Sequence, residues 1–492
     1  MKDLKERTIR GGSARIVAQA ANFTLRVGSV MVLSRLLEPR DFGLLGMVTA
    51  FTGVLGLFRD FGLSAASVQR ATVTEDQAST LFWINVLVGT ILTAITVFLA
   101  PVVATFYREP RLFWVMSLVA IGFLFNGAGV QHSAVLQRQM RFTALAWIDI
   151  VSLIVSTAVA IAGAEAGYGY WALAAMTVSL PLTGTVGLWL VSAWVPGMPC
   201  RCAGIRSMMR FGGIVTLNSL VVYIAFNFEK ILLGRFWGAE VLGMYGRAYQ
   251  LIRIPTDNLN SAVGEVAFSA LSRIQDDPSR LKRYFLKGYS LVLALTLPLT
   301  ITCALFAEDL IFVFLGPRWK EAAGIFRLLA PTIVVFAIAN PLGWLLSSIG
   351  MVGRGLKMAL VMAPLMIASY IIGLPYGPRG VAFAYSTTMI LCVVPLIAWA
   401  VRGTVLSLYD VLLTAGRPLI SGIVAAALAL TLQFSYGQFF SPIPRLVLGV
   451  TLVLAGYLSM LLYVMKQKRF YLDLMRAFKK NSSVDEKVMV SV

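Results

Sequence analysis

Runs of about 20 mostly apolar residues recur from one end of this chain to the other, each long enough to cross roughly 30 Å of hydrocarbon as a helix. Inside a bilayer the backbone has no water to bond. A spanning segment must satisfy its own N–H and C=O groups, and runs this long and continuous exclude the shorter, alternating strands of a barrel. About fourteen spans fit, at 14–34, 42–67, 81–105, 112–134, 143–164, 169–195, 211–234, 241–268, 284–307, 322–349, 356–375, 380–401, 416–434 and 443–465. Of 492 residues, 58% are hydrophobic and only 13% are charged. With a mean hydropathy of +0.80, polar surface is too scarce for a soluble globule. The sequence predicts an all-α integral membrane protein.

A net charge of +19 raises nucleic acid as a partner, and the placement of the basic residues argues against it. With both termini cytoplasmic, 26 Lys and Arg fall in cytoplasmic segments and nine on the opposite side. That asymmetry is what the positive-inside rule produces. The basic tail after Lys466 suits anionic lipid headgroups. The start, "MKDLKERTIRGG", leads into a helix studded with polar residues, so no cleaved signal peptide is expected. Cys200, Cys202, Cys303 and Cys392 form no disulfide framework or metal-ligand spacing. No phosphate-cradling G-x-x-x-x-G-K, no G-x-S-x-G and no H-E-x-x-H occurs. No cofactor is implied. The single histidine, His132, reads as structural, and the short outer loops leave no room for a catalytic domain.

One pattern occurs twice. Residues 34–46 read "SRLLEPRDFGLLG" and, two hundred positions later, 234–246 read "GRFWGAEVLGMYG". At that offset Arg10, Gly12, Leu33, Arg35, Gly43 and Gly46 meet Arg210, Gly212, Leu233, Arg235, Gly243 and Gly246. A second match, at an offset of 207, pairs "APVVATFYREPR" (100–111) with "AEDLIFVFLGPR" (307–318). Six spans lie between the copies, an even number, so the halves run the same way through the membrane. The expectation is two parallel six-helix bundles, 1–200 and 201–405, then spans thirteen and fourteen (406–466) and a basic tail (467–492). Such parallel repeats place a substrate cleft between the halves and work by alternating access.

Polar residues inside the spans fall in stripes. Arg15, Gln19, Asn22, Arg26 and Ser29 share one face of the first helix; Ser219, Tyr223, Asn227 and Lys230 do the same on the seventh. The second helix carries Arg59 beside Asp60, and the eighth carries Arg247, Arg253 and Asp257 around Pro255. With Arg327, seven basic residues belong to no loop. Facing lipid at mid-depth, each would cost about 2.5–3.5 kcal/mol, on the order of 20 kcal/mol together, so several must face water or one another. Snorkelling suits Arg15; pairing suits Arg59 with Asp60, Glu229 with Lys230, and Arg253 with Asp257. Carboxylates at depth are fewer: Asp60, Asp149, Glu229, Asp257 and Glu265. The positive excess suits an anionic substrate such as a phosphate or diphosphate.

The stretches "SRLLEPRDFGLLGM…GVLGLFRDFGLSAASVQR", "STLFWINVL", "VLQRQMRF" and "IRIPTDNLNSAVGEVAFSALSRIQDD" resemble the polysaccharide transporters of the multidrug/oligosaccharidyl-lipid/polysaccharide (MOP) flippase superfamily, in the branch of the exopolysaccharide, lipopolysaccharide and teichuronic acid exporters. The resemblance runs from about residue 5 to 465. It implies a flippase of the bacterial cytoplasmic (inner) membrane that moves undecaprenyl-diphosphate-linked oligosaccharide units outward, with membrane lipid and the pathway's polymerase and chain-length proteins as partners. It also implies a cationic cavity whose arginines lie on the first, second and eighth helices. On this chain those are Arg26, with Arg15 as a second candidate, then Arg59, then Arg247 or Arg253. Asn22 and Lys230 join the substrate set from their stripes, and Asp60, Glu229 and Asp257 are candidates for ion coupling. Guanidinium groups suit the task because they grip phosphate oxygens in a bidentate way. A multidrug or cation antiporter of the same superfamily would favour carboxylates in its cavity. A membrane enzyme of lipid-linked sugar metabolism would need catalytic groups in its outer loops.

Overall fold

The computed structural model describes residues 21–59, 74–200, 206–436 and 441–468. Within them the chain is helical. In order come α1 (21–36), α2 (Pro39–Gly56), α3 (Glu75–Tyr107), α4 (Arg111–Arg138), α5 (Phe142–Glu165) and α6 (Tyr170–Ser192). A long element, Arg206–Ser272, breaks at Gly238 (φ 82°) into α7 (206–237) and α8 (239–272). Then follow α9 (Pro278–Leu305), α10 (Ala322–Ser348), α11 (Val352–Gly373), α12 (Gly377–Val401), α13 (Leu408–Tyr436) and α14 (Pro442–Ser459). Each expected span overlaps one of these fourteen helices, and residues 14–20 and 60–67 of the first two spans lie outside the described residues. Among the described residues, nine helical stretches are long and apolar enough to cross a membrane, one of them, Gly353–Val401, holding both α11 and α12. The polar stripes lie on α1, α2, α7 and α8.

Local chemistry explains the ends. Thr74 Oγ1 accepts from the Gln77 N–H (3.2 Å) and the Gln77 side chain accepts from the Thr74 N–H (3.3 Å), a capping box that opens α3. Asp41 Oδ2 accepts from the Glu38 N–H (3.1 Å) at the start of α2, after Pro39 at the first helical position. The two stretches matched at an offset of 207 are both helical and stop at equivalent positions, Tyr107 and Phe314. Residues 100–107 finish α3. Residues 307–314 form a separate short helix, and Gly316 (φ 99°) turns the chain into a 3₁₀ turn, Pro317–Trp319.

Two compact units emerge, and neither is a sequence half. One gathers the described residues within Met1–Gln250, Phe314–Ile325 and Leu356–Thr388; the other, those within Leu251–Val313, Phe326–Gly355 and Met389–Val492. In the first unit small residues let helices close on one another, as membrane helices require in the absence of a hydrophobic drive. Cβ atoms added at Gly89 and Gly127 would stand 2.6 Å from the Phe123 carbonyl oxygen and 2.5 Å from that of Asn85, so α3 and α4 touch through backbone. Hydroxyl and indole groups bond across helices, Thr93 Oγ1 to the Ala120 carbonyl (2.9 Å), Thr185 Oγ1 to Phe125 (2.7 Å) and Trp189 Nε1 to Ala128 (2.9 Å). In the second unit α9 packs against α10, α13 and α14. Arg445 of α14 grips the buried Asp309 through both carboxylate oxygens, and Lys282 of α9 pairs with Asp410 of α13 (2.6 Å).

The repeated glycines meet. An added Cβ at Gly43 would land on the Ala239 carbonyl, and one at Gly243 would land on the Pro39 carbonyl. The partners obey the two-hundred-residue offset themselves, since Pro39 corresponds to Ala239 and Gly43 to Gly243. The contact is therefore self-complementary, as in a two-fold dimer interface built inside one chain. It lies where α2 and α8 begin, at the end of α1 away from the amino terminus, called the far end below.

Substituting Gly127→Val is expected to destabilise the detergent-solubilised protein by about 1–3 kcal/mol, because the backbone contact leaves no room for a branched side chain. Gly343→Ala, which would meet nothing within 4 Å, is expected to leave the unfolding midpoint unchanged or slightly raised in the same thermal-shift measurement.

Candidate functional site

The charged residues of α1, α2, α7 and α8 stand at different depths. A helix rises about 1.5 Å per residue, so distance from the far end can be read along each helix. Lys230 lies seven residues from Trp237, Arg247 eight from Ala239, Arg26 ten from Leu36, Arg253 fourteen from Ala239 and Arg59 twenty from Pro39. The depths are about 10, 12, 15, 21 and 30 Å. Counted along their own helices, the cations thus step through successive levels, as rungs of a ladder, rather than sharing one level. Arg59 occupies its lowest rung because α2 ends at Gly56 and continues only as a turn through residues 57–59.

Each rung has a local partner. Arg26 is exposed and within electrostatic reach of Asp149 on α5. Arg59 Nη1 donates to Asn126 Oδ1 of α4 at 3.2 Å, and Asn126 is itself held by the Gly122 carbonyl (2.9 Å). Lys230 Nζ donates to Asn227 Oδ1 (2.7 Å), whose amide donates to the Tyr223 carbonyl (2.9 Å). Tyr223 reaches from α7 to α2, where its hydroxyl donates to the Thr49 carbonyl (3.1 Å) beside Gly53. The expected Arg253–Asp257 pair forms, at 3.2 Å and one turn apart. Arg15 and Asp60 lie outside the described residues. Asn22 of α1 is half-buried. Arg327, the seventh basic residue, pairs with Glu308 at 3.1 Å.

Arg247 has a different environment. Its Cζ sits 3.8 Å from the centroid of the Phe42 ring, and its Nη1 donates to Gln250. A cation over an aromatic face gains about 0.5–2 kcal/mol, more as water is excluded. Phe42 packs against Trp319 (centroids 5.4 Å apart), a fully buried residue whose Nε1 donates to the Ser34 carbonyl at 2.7 Å.

Glu229 is buried at 2% exposure beside tyrosines. Tyr223, Tyr245, Tyr370 and Tyr385 all fall within its electrostatic reach. Tyr245 stacks on Tyr249 (6.3 Å), Tyr249 meets Tyr385 edge-on (6.3 Å) and Tyr370 stacks on Tyr385 (5.5 Å). This aromatic nest around a carboxylate escaped the sequence reading. Its one signal was the spacing of Tyr245 and Tyr249 by a single helical turn. His132, fully buried, sits among Phe82, Trp189 and Trp194 with Nδ1 2.8 Å from Ser192 Oγ, which fits the structural role expected of it.

The all-α bundle of long apolar helices has the fold of solved membrane proteins. The chain is similar to the lipid II flippase MurJ in its inward closed conformation, with a TM-score of 0.74 at 14% identity over 95% of this chain and 100% of that one. It is also similar to an inward-facing multidrug resistance MATE family transporter of the MOP superfamily, with a TM-score of 0.63 at 14% identity over 77% and 94%. Among curated proteins it is 29% identical to the teichuronic acid biosynthesis protein TuaB of Bacillus subtilis (strain 168) over 68% of each chain. It is 24% identical to the lipopolysaccharide biosynthesis protein WzxC of Escherichia coli (strain K12) over 75% and 76%. The family model described as polysaccharide biosynthesis protein matches residues 32–324, more than half of the chain. The chain belongs to this family of polysaccharide biosynthesis proteins.

Side-chain exposures of 38% for Arg253 and 57% for Asp257 show a pair that is not sealed within protein, and a double-mutant cycle of Arg253→Ala and Asp257→Ala is expected to give a coupling of no more than about 0.5 kcal/mol in unfolding.

Proposed function

We propose that this protein is a flippase that carries an undecaprenyl-diphosphate-linked oligosaccharide unit from the cytoplasmic to the outer leaflet of the bacterial inner membrane, for exopolysaccharide, capsule or lipopolysaccharide synthesis. In this reading both termini are cytoplasmic and the far end faces outward. The observation that carries it is the cation ladder in a member of a polysaccharide biosynthesis family. A diphosphate cannot enter hydrocarbon unpaired. Guanidinium groups spaced from about 12 to 30 Å below the far end supply successive partners across most of that barrier.

Arg15, Asn22, Arg26, Arg59, Lys230, Arg247 and Arg253 are the substrate set, met in turn as the two six-helix halves rock. Asn126, Asn227 and Gln250 orient Arg59, Lys230 and Arg247 through hydrogen bonds. Glu229, with Asp60 and Asp257 as further candidates, couples transport to an ion. The polymerase and chain-length proteins of the pathway act on the delivered unit. The positive excess at depth favours this reading over a cation antiporter.

In cells lacking the protein, repeat units are expected to accumulate on the cytoplasmic face, as read by leaflet-resolved detection of lipid-linked sugars. Wild type restores outward delivery; Arg26→Ala and Arg59→Ala, made at normal levels, are expected to restore less than about a tenth of it, in line with the loss of one charge-assisted pair of about 1.5–3 kcal/mol. Normal delivery without the protein would refute the assignment, and full complementation by both variants would refute the ladder.

A further inference from the structure

The seam between the starts of α2 and α8 is symmetric in its backbone and asymmetric in its side chains. Its self-complementary core is the pair of contacts Gly43–Ala239 and Gly243–Pro39. Applying the two-hundred-residue offset to Phe42 and Arg247 gives Leu242 and Met47. Those two are apolar and buried, 2% and 1% exposed, and both border Gly234, whose added Cβ would stand 3.3 Å from Leu242 and 3.2 Å from Met47. Packing at this level is therefore satisfied by hydrocarbon on one side of the seam. On the other side the equivalent place holds a guanidinium laid on an aromatic ring, an arrangement that packing does not require.

We propose that Phe42 and Arg247 are the latch of an outward gate, and that a diphosphate opens it by drawing Arg247 off the ring. The proposal rests on the flippase reading given above. Phe42 is the fixed half: Trp319 backs its ring, and the indole N–H is tied to the Ser34 carbonyl. Arg247 is the movable half, a long side chain whose other described contact is with Gln250, three residues along the same helix. While Arg247 lies on Phe42, α8 is fastened to α2 across the glycine contacts and the far end is shut. A phosphate oxygen pairs with guanidinium more strongly than a ring face does. A diphosphate reaching that rung competes with Phe42, and a ligand that holds Arg247 better in the open form than in the shut one shifts the seam toward opening. The gate would then part when cargo is present and stay closed against leakage when it is not.

The test reads the buried Met47 position. Protein carrying Met47→Cys is placed in nanodiscs, and modification at that site by a membrane-impermeant thiol reagent is timed by peptide mass. Labelling is expected to be slow in this background and to rise about 2- to 30-fold with Phe42→Leu, the range to which one cation–π contact converts. Arg247→Gln is expected to raise it by a similar factor, and the two substitutions together by no more than either alone. Undecaprenyl diphosphate, the probe, is expected to accelerate labelling when Phe42 and Arg247 are both present and to have no effect with Arg247→Gln. Unchanged basal labelling in a well-folded Phe42→Leu protein, or equal acceleration by the probe with and without Arg247, would overturn the latch. Binding of the probe is measured separately by native mass spectrometry. Failure of the probe to bind at all, with basal labelling still raised by Phe42→Leu, would count against the flippase reading and its diphosphate trigger while leaving a mechanical seam.

Discussion

Hydrocarbon offers no hydrogen-bond partner, and that constraint orders everything else in this protein. It forces each span to be a helix that satisfies its own backbone. It makes every charge placed at depth expensive unless a neighbour, water or cargo meets it. Among the described residues, nine helical stretches are long and apolar enough to span. Helices α1, α2, α7 and α8 carry polar stripes, and their cations find Asp149, Asn126, Asn227, Asp257 and the face of Phe42. Some of these partners are carboxylates and others neutral amides or a ring face.

The internal repeat supplies the second layer of organisation. Two copies of one motif meet as a two-fold pair because a glycine in each accepts the backbone of the other. Close backbone approach gives a large contact area without long side chains to disentangle, a suitable property for a surface that must part and re-form. The compact units cut across the two halves of the sequence, and residues of both copies share the first unit. Within the second unit, spans thirteen and fourteen are held by Arg445–Asp309 and Lys282–Asp410.

The helices were legible in the sequence because hydrophobic length is a local signal: the span expected at 143–164 is Phe142–Glu165, and that at 443–465 is α14 with its terminal π-turn at Met460–Val464. Pairing one turn apart was legible for the same reason, as Arg253 with Asp257 shows. Pairing across helices was not. Arg59 meets Asn126, 67 residues away, and Arg247 meets Phe42 in the other copy of the repeat; neither follows from periodicity. The glycines were readable as points of close approach, whereas their reciprocal partners, Ala239 and Pro39, emerged only from the fold. The match of 307–318 to 100–111 was legible in local structure as well, since residues 100–107 and 307–314 are both helical and both helices stop at equivalent positions, Tyr107 and Phe314.

The role proposed for the guanidinium groups at depth is to carry an anion. Purified protein in proteoliposomes, loaded with a fluorescent glycan linked to undecaprenol through a diphosphate, tests it by the rate at which the label becomes accessible to an impermeant quencher. The same glycan joined to the same lipid through a neutral ether is the comparison. The diphosphate-linked lipid is expected to change leaflets in a protein-dependent way and the neutral analogue to stay at the rate of empty liposomes. Equal protein-dependent movement of both, or movement of the neutral lipid alone, would contradict an anion-carrying role.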